Sequence, residues 1–480
     1  MPRHRQYPPL RVYQNNRFVG RLQKEPGGAI GFQYDEAWLD RTSAFPVSLS
    51  LPLREDAYRG APVAAVFENL LPDSDALRRR VAEKVGAAGY DAYSLLAAIG
   101  RDCVGALQFL PEDAGEPDDQ AALSGEPVDD EAIEKLLKTL VLAPLGLNRD
   151  DDGFRISVAG AQEKTALLRI DGQWLKPHGT TPTTHIFKTQ IGELPNGIDL
   201  TNSVENEFYC LKLLELFGLP VNSAEIMTFG ETKALVVERF DRAWHGGRLI
   251  RLPQEDCCQA LSVPPARKYQ SGGGPGIIQI AELLRGSNDP SRDHYTLLLA
   301  QLIFWLIGAT DGHAKNFSIF LNPGGGFELT PLYDVLSAQP SLDARQIERK
   351  QMKLAMSVGH GNHYRIDEIL PRHFTQTGER VIGGRKLRLI ALQGHTEADL
   401  AVYDEASRTL FAGDLVFFHR AATTPNANIA KWLAALDALQ KIDFQTLVPG
   451  HGPVVRGPEA IAETRAYLVW LRDSLHAAAA

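Results

Sequence analysis

The chain has 480 residues, of which 44% are apolar and 23% charged, with 42 glycines and a formal net charge of −9. This composition is typical of globular proteins and excludes disordered and collagen-like chains. Since single hydrophobic cores stop growing near ~250–300 residues, two or three domains are expected. The negative charge provides no overall positive field, so no autonomous nucleic-acid binding is expected.

Several features predict a cytoplasmic protein without a membrane contact. The longest apolar run, Leu297 to Ala309, is shorter than the ~20 residues of a membrane-spanning helix. The first residues are basic but lack the apolar core of a secretory signal. The cysteines include no CxxC pair, which favours free thiols in a reducing compartment over a zinc knuckle. They are Cys103, Cys210, Cys257 and Cys258.

The first 130 residues predict a small β-rich domain followed by a linker. Residues 8–35 alternate apolar and polar side chains around glycines, which predicts short antiparallel strands. From Val63 the pattern becomes helical, with Pro72 and an Asp/Ser cluster as a start signal, and helices are expected to about Ile99. Residues 111–130 are rich in acids, glycine and proline and predict a solvated linker.

The next segment predicts a helix over Glu131–Leu142 and then a hairpin over Phe154–Ile170. The hairpin tip contains Ala159, Gly160 and Ala161. Small residues there would let backbone N–H groups approach a phosphate closely. Small-residue tips are also common in hairpins with a purely structural role, and that alternative stays open.

A lysine and a glutamate follow in the same order as in residue pairs that orient phosphates. Lys188 ends an apolar strand, and Glu207 lies on the next predicted helix, for which Ser203 is a plausible N-cap. Lysine on a strand and glutamate on the following helix orient nucleotide phosphates in kinases. Taken alone, the two residues would be better interpreted as a surface lysine and a helix-face glutamate.

The spacing of three polar residues indicates a phosphoryl-transfer centre. A predicted helix, Tyr295 to Gly308, leads to Asp311; Asn316 follows five positions later and Asp334 eighteen after that. This spacing can supply one base and two metal ligands. The alternative is an ordinary turn aspartate. The glycine-rich loop Gly272–Gly276 follows no strand and is interpreted as a turn.

Residues from about 8 to 378 resemble the HipA-type serine/threonine kinases of bacterial toxin–antitoxin modules. The resemblance rests on many short motifs in the same order. They are Val19-Gly-Arg-Leu22, Phe67-Glu-Asn-Leu-Leu-Pro-Asp73, Ser157-Val-Ala-Gly-Ala-Gln-Glu-Lys164, Asn206-Glu207, Glu238-Arg-Phe-Asp241, Glu255-Asp-Cys-Cys-Gln259, Thr310-Asp-Gly-His-Ala-Lys-Asn316 and Pro331-Leu-Tyr-Asp334.

The resemblance implies an α+β, two-lobed protein-kinase-like fold preceded by a small N-terminal β-rich domain. It also implies ATP and Mg²⁺ as cofactors, Asp311 as catalytic base, Asn316 and Asp334 as Mg²⁺ ligands, and Ser157 as a site of autophosphorylation that switches activity off. A small DNA-binding antitoxin and a protein substrate, for which an aminoacyl-tRNA synthetase is a family example, would be the partners. The nucleotide-binding candidates are Ala159, Gly160, Ala161, Gln162, Glu163, Lys164, Lys188, Glu238, Arg239, Phe240, His313, Lys315, Asn316, Tyr333 and Asp334.

For His313 and Lys315, a structural role within the loop remains an equal alternative to nucleotide contact. Glu238 to Phe240 would be the connector between lobes that binds adenine.

From about residue 382 the pattern changes. Residues 382–475 resemble the C-terminal half of the metallo-β-lactamase fold, an α/β segment whose motif residues His395, Asp414 and His451 would ligate Zn²⁺ or Fe. The leading His-x-His-x-Asp-His motif of that family is absent from the sequence. No hydrolase activity is therefore expected.

The expected domains are 1–110, a linker at 111–130, a kinase-like domain at 131–380 with a truncated larger lobe, and the partial segment at 381–480. The main hypothesis is an ATP-dependent serine/threonine kinase. A catalytically impaired module that binds nucleotide or antitoxin is the alternative, and a metal-dependent hydrolase is a third.

Overall fold

The structure, a computed structural model, describes residues 7–117, 123–140, 143–147, 156–157, 162–381, 387–405 and 407–479. Contacts divide the chain into two compact units. The first comprises Met1–Ser357 and Tyr364–Asp367, and the second Val358–His363 and Glu368–Ala480. Within the described ranges, every helix is too short or too polar to cross a membrane.

The chain begins with a five-stranded antiparallel sheet in the order β4-β3-β2-β1-β5. Four short helices pack beside it. Ser74 caps the third by accepting a hydrogen bond from Leu77 N, as the Asp/Ser cluster predicts. These elements are β1 (Leu10–Gln14), β2 (Arg17–Lys24), β3 (Ile30–Tyr34), α1 (Glu36–Leu39), β4 (Tyr58–Arg59), α2 (Ala61–Glu68), α3 (Asp75–Val85), α4 (Ala92–Ile99) and β5 (Leu107–Pro111).

A six-stranded antiparallel sheet follows, in the order β12-β13-β9-β7-β8-β6. Phe187 and Phe229 are fully buried between this sheet and α5. Ala166 of β7 belongs to the same hydrophobic core as Phe67 of α2. The elements are β6 (Gly125–Pro127), α5 (Asp130–Lys138), β7 (Lys164–Ile170), β8 (Gln173–Pro177), β9 (His185–Thr189), β10 (Gly192–Glu193), β11 (Asp199–Leu200), α6 (Ser203–Leu216), β12 (Ala224–Phe229) and β13 (Thr232–Glu238).

The rest of the first unit is mainly helical and is organised around one long buried helix, α9. Pro290 occupies its first turn, Asp289 caps it, and Gly308 ends it in the left-handed conformation at φ 68°. The elements are β14 (Arg242–His245), β15 (Arg248–Arg251), β16 (Gln254–Asp256), α7 (Cys257–Ala260), α8 (Ile277–Leu284), α9 (Pro290–Ile307), β17 (Ser318–Leu321), β18 (Phe327–Leu329) and α10 (Gln339–Asp343). Two further strands, β19 (Lys353–Val358) and β20 (His363–Arg365), each have one terminal residue that is assigned to the second unit.

The second unit contains a five-stranded sheet in the order β21-β22-β23-β24-β25, with β23 and β24 parallel. Trp432 of α12 is fully buried, and its indole N–H donates to Leu415 O at 2.8 Å. Two helices of the unit itself thus pack on this sheet. The elements are α11 (Pro371–Val381), β21 (Leu387–Leu392), β22 (Asp399–Asp404), β23 (Thr409–Phe417), α12 (Ile429–Gln440), β24 (Thr446–His451), β25 (Val455–Arg456) and α13 (Glu459–Ala479).

The predicted α+β class is confirmed, but some elements differ from their predicted limits. Residues 125–127, expected in a linker, pair with β8. Helix α6 begins at Ser203, so Asn202 is the N-cap position, while Ser203 Oγ accepts a hydrogen bond from Ile191 N at 2.8 Å. Helix α11 belongs to the second unit, and the proposed domain limits remain a prediction.

A buried ionic network joins the N-terminal sheet region to the end of β13. Asp102 contacts the guanidinium groups of Arg242 and Arg251 at 2.9 and 3.0 Å and that of Arg239 at 3.3 Å. Burial alone would raise the pKa of Asp102, but the arginines outweigh it and hold that pKa well below its usual range. Asp241 completes the network through Arg239 at 2.8 Å.

Substituting Asp102→Asn should therefore destabilise the first unit by about 3 kcal/mol, because it leaves buried guanidinium groups without a carboxylate. Urea unfolding followed by tryptophan fluorescence measures this change. The exposed Asp113→Asn is the matched control. A loss of less than about 1 kcal/mol in Asp102→Asn would contradict the assigned role of the network.

Candidate active site

The turn after α9 holds Asp311 and Asn316 together. Asn316 Nδ2 donates to Asp311 O at 2.9 Å and to Asp334 O at 3.2 Å, so one amide ties both predicted metal-site segments. The Asp311 side chain is 59% exposed and accessible to a second molecule. With its nitrogen used in this way, the amide oxygen of Asn316 is the atom that a cation could use.

Lys188 lies at the centre of a buried ion triad. Its Nζ is 2.7 Å from Glu207 Oε1 and 2.8 Å from Asp334 Oδ1. Burial opposes the ammonium charge, but the two carboxylates outweigh it and raise the pKa of Lys188. Burial also raises the pKa of Glu207, whereas Lys188 and Lys164 hold the pKa of Asp334 well below its usual range. The predicted lysine–glutamate arrangement is present, and it includes Asp334.

Asp334 adopts the left-handed backbone conformation at φ 59°, which is costly for a residue with a Cβ. Residues in this conformation occur at functional sites and also in ordinary turns, as at Asn15 and Asp171 of this chain. The oxygen atoms of Asp334 and Asn316 fit Mg²⁺, which prefers hard ligands and takes one or two from the protein when phosphates supply others. Among the described residues, no cluster of three or more His, Cys, Asp or Glu side chains could hold a metal ion.

A second buried lysine stands directly opposite Lys188. Lys164 on β7 pairs with Lys188 on β9. Burial and the charge of Lys188 lower the pKa of Lys164 to about 8. The two ammonium groups therefore lie close together, with the carboxylates of Glu207 and Asp334 balancing their charge.

The remaining residues of the predicted phosphate loop are only partly accounted for. Ala159, Gly160 and Ala161 lie outside the described residues. Gln162 Nε2 donates to Thr189 O at 2.7 Å, and Glu163 pairs with Arg80 at 3.0 Å. The side chains of Gln162 and Glu163 thus contact protein groups.

The predicted connector, Glu238 to Phe240, uses two of its amides within the protein. Glu238 N donates to Ser223 O, and Arg239 N donates to Thr184 O. The Arg239 side chain is buried in the network of Asp102, so its guanidinium cannot contact a nucleotide. The backbone carbonyl of Arg239 already accepts a hydrogen bond from Arg242 N at 3.1 Å, which leaves only its second lone pair for a connector role.

Two aromatic residues form the inner face of the site. Phe240 packs against Phe320 and Tyr333, with ring centroids 5.7 and 5.6 Å apart. Tyr333 donates its hydroxyl to Lys315 O at 2.8 Å, so it supports residues 311–316, which contain the predicted base and are called the catalytic turn. Phe240 alone of the connector offers an apolar surface to a base.

His313 and Lys315 have different surroundings. His313 is buried, its pKa is lowered by burial to about 4, and its Nε2 lies 4.0 Å from Asp311 Oδ2. Lys315 Nζ is 3.0 Å from Asp73 Oδ1, 3.0 Å from Asn69 O and 3.7 Å from Asp256 Oδ2. These contacts favour the structural alternative for Lys315.

Sequence reasoning missed three residues of this site. Asp73 bridges Lys315 and Lys268, the latter at 2.7 Å. Tyr269 donates its hydroxyl to Asp311 Oδ1. Asp73 belongs to a motif of the resemblance, and Lys268 and Tyr269 precede the loop interpreted as a turn, but neither pattern indicated contact with the catalytic turn.

The three candidate ligands of the C-terminal unit do lie near one another. Asp414 Oδ1 is 3.4 Å from His451 Nε2, and Asp414 Oδ2 is 4.0 Å from His395 Nδ1. His451 also stacks on Phe417, with centroids 4.5 Å apart. This group does not form a metal-binding cluster among the described residues.

The structure combines an antiparallel sheet that carries a lysine–glutamate pair, a connector strand, and a helical region that bears an aspartate and an amide. Together these features define a protein of the kinase-like class. The chain belongs to the HipA family. Residues 10–110 match the HipA N-terminal domain, and residues 156–400 match the HipA-like C-terminal domain. It is therefore a serine/threonine protein kinase by family.

Individual relatives support this family assignment. "Putative kinase Y4mE" of Sinorhizobium fredii is 38% identical over 357 residues, covering 73% of this chain and 80% of the relative. The serine/threonine-protein kinase toxin HipA of Shewanella oneidensis is 29% identical over 363 residues, covering 73% and 78%. A solved complex of HipA, HipB and operator DNA from Shewanella oneidensis MR-1 is 26% identical, with a TM-score of 0.60, covering 78% of this chain and 89% of that one. The predicted two-lobed kinase-like fold is confirmed.

The metallo-β-lactamase resemblance has much weaker support. The beta-lactamase-like protein 2 homolog of Caenorhabditis elegans is 30% identical over 84 residues, which is 17% of this chain and 28% of that protein. So short a match carries no activity to this chain.

Asp73 predicts a pH-dependent stabilisation. Burial alone would raise its pKa, but Lys315 and Lys268 lower it to about 2 from an ordinary 3.8. Because the folded-state pKa is depressed, the stabilisation is present above about pH 4 and is lost as the pH falls towards 2. Asp73→Asn should cost about 2 kcal/mol of unfolding free energy at pH 7 and less at pH 3.

Urea unfolding of both proteins at several pH values measures this difference. Glu83→Gln removes an exposed charge from the helix after Asp73 and is the control. A cost that stays constant from pH 7 to pH 3 would show that the ion pairs are not its cause.

For the C-terminal unit, we expect purified protein to carry less than one equivalent of zinc or iron, because three side chains without the leading histidine motif make a poor site. Elemental analysis by plasma mass spectrometry tests this. A full equivalent that disappears in His451→Ala would contradict the expectation.

Proposed function

We propose that the chain transfers the γ-phosphate of ATP to a serine or threonine hydroxyl of a protein, with Asp311 as the catalytic base. The observation that carries the proposal is the ion triad of Lys188, Glu207 and Asp334, tied to Asp311 through the amide of Asn316. Phosphoryl transfer needs mainly positioned charge and an aligned acceptor, and this arrangement offers both.

The roles follow from charge and accessibility. Lys188 and Lys164 would bind phosphate oxygens, and Phe240 would pack on adenine. Asp334 and Asn316 would hold Mg²⁺, which neutralises phosphate charge when bound. The exposed carboxylate of Asp311 would accept the proton of the substrate hydroxyl as its oxygen bonds to the γ-phosphorus and the bond to ADP breaks.

Ser157 is proposed as the site of autophosphorylation. Its side chain is fully buried, its Oγ donates to Leu70 O at 2.7 Å, and its N–H donates to Asp102 O at 3.0 Å. A phosphate has three oxygens and up to two negative charges, which this position cannot accommodate. Modification would therefore require Ser157 to leave this position and would prevent its return, which accounts for a switch to an inactive state.

Partners are proposed by family. The Shewanella oneidensis HipA structure is a complex with HipB and operator DNA, and we propose a small DNA-binding antitoxin as partner here. The net charge of −9 makes such a partner the more suitable DNA-binding component. The protein substrate would belong to translation, with an aminoacyl-tRNA synthetase as the family example.

Asp311→Asn should lower phosphate transfer by about 10²- to 10⁴-fold, because it removes the base while preserving the shape of the side chain. Initial rates of label transfer from γ-labelled ATP to the chain and to dephosphorylated casein measure this. Asp343→Asn, an exposed aspartate on α10, is the control. ATP binding by calorimetry should persist in Asp311→Asn. Binding of ATP by the unaltered chain without any transfer would favour the catalytically impaired module.

Ser157→Ala should abolish self-labelling at this position while casein labelling continues, because the hydroxyl is an acceptor and not part of the catalytic group. Peptide mapping of the labelled chain by mass spectrometry locates the phosphate. A phosphate found only at other serines would overturn this assignment without affecting the kinase proposal.

A further inference from the structure

Tyr269 contacts the carboxylate of Asp311 directly. Its hydroxyl donates a hydrogen bond to Asp311 Oδ1. Its ring also meets the ring of His313 edge to face, with centroids 5.0 Å apart and planes at 86°. Tyr269 therefore touches two residues of the catalytic turn, although it precedes them by more than forty positions in the sequence.

The residues on both sides of Tyr269 are anchored to different parts of the first unit. Lys268 pairs with Asp73 at 2.7 Å, and Gln270 Oε1 accepts hydrogen bonds from the backbone N and hydroxyl of Ser357 at 2.7 and 3.1 Å. Both neighbours hold the backbone of Tyr269, a residue that is 38% exposed, in place, while its side chain is oriented by its own contacts with Asp311 and His313.

The backbone of the same loop is tightly closed. Tyr269 O accepts the amides of Gly272 and Gly274, both at 3.0 Å. A Cβ at Gly274 would lie 1.9 Å from Arg267 O, so this position requires glycine. The glycine-rich loop interpreted as a simple turn thus fixes Tyr269 against the catalytic turn.

Tyr269 has the protonation state that a donor needs. Burial and the negative charge of Asp311 raise the pKa of its phenol. The group therefore stays protonated at neutral pH and donates to Asp311. His313 is buried and neutral, and its Nε2 is 4.0 Å from Asp311 Oδ2, beyond hydrogen-bond distance.

A base in phosphoryl transfer must present one oxygen to the substrate hydroxyl in a fixed direction. Asp311 is 59% exposed, so packing alone leaves its carboxylate free to rotate. With Oδ1 held by Tyr269, rotation is restricted and Oδ2 is available to the substrate. We propose that Tyr269 is a positioning residue, which orients the carboxylate of Asp311 for proton transfer; the inference rests on the proposed role of Asp311 as base.

The same contact would also fit an inhibitory role, since the phenol occupies an oxygen of Asp311 to which a substrate hydroxyl could donate. An inhibitory tyrosine and a positioning tyrosine have opposite effects on the rate of phosphate transfer. Removal of the hydroxyl raises the rate in the first case and lowers it in the second. One conservative substitution therefore separates them.

The test compares the unaltered full-length chain with Tyr269→Phe, which keeps the ring against His313 and removes only the hydroxyl. Tyr90→Phe is the matched control, because it removes an exposed phenol hydroxyl that accepts a hydrogen bond from Arg79 at 3.3 Å. Initial rates of label transfer from γ-labelled ATP to casein are measured over a range of ATP concentrations. Binding of a fluorescent ATP analogue and the melting temperature are measured in parallel.

We expect the maximal rate of Tyr269→Phe to fall about ten- to hundredfold, with the KM for ATP, the affinity for the analogue and the melting temperature unchanged. Tyr90→Phe should match the unaltered chain. An equal or higher maximal rate in Tyr269→Phe would overturn the inference and leave the kinase proposal standing. A loss shared by nucleotide affinity and melting temperature would also overturn it, since the role would then be structural. If the unaltered chain transfers no phosphate, the proposed function and this inference fail together.

Discussion

The buried ammonium group of Lys188 is the interaction on which the site depends. It joins β9, α6 and the segment of Asp334 by two ion pairs of 2.7 and 2.8 Å. A lysine buried to this extent is stable as a cation only because both carboxylates compensate its desolvation. Loss of either carboxylate would leave an unbalanced charge inside the protein, so the three elements are held in one arrangement. That arrangement also brings the strained backbone of Asp334 next to Asn316.

The N-terminal region takes part in the same construction. Asp102 holds the arginines that follow β13, and Asp73 holds Lys315 of the catalytic turn together with Lys268. Ala166 of β7 shares a hydrophobic core with the N-terminal helices. The N-terminal region accordingly belongs to the same compact unit as the elements around Lys188, and the predicted domain limits stay a prediction. The N-terminal region is a structural component of the kinase, and its acidic residues orient groups near the active site.

The sequence allowed prediction of those features that depend on local residue patterns or on the order of motifs. The spacing of Asp311, Asn316 and Asp334 indicated one site, and the Asp/Ser cluster correctly indicated the start of α3. The sequence did not indicate Tyr269, because contact between two loops separated by forty residues leaves no periodic signal. Residues 125–127 were predicted within the linker, but they form strand β6. So short an edge strand is determined by its pairing with β8 and not by its own composition.

The bridge between Asp73 and the two lysines has a consequence for how this chain can vary. The carboxylate comes from the N-terminal region, and its cations come from the loop before α8 and from the catalytic turn. Replacement of Asp73 removes a carboxylate from both lysines at once, whereas replacement of either lysine leaves Asp73 its other partner, so Asp73 is the position least free to vary. Exchange of the N-terminal region between distant relatives would disturb the catalytic turn wherever the incoming region lacks this carboxylate. We therefore expect the N-terminal region and the catalytic turn to be inherited together.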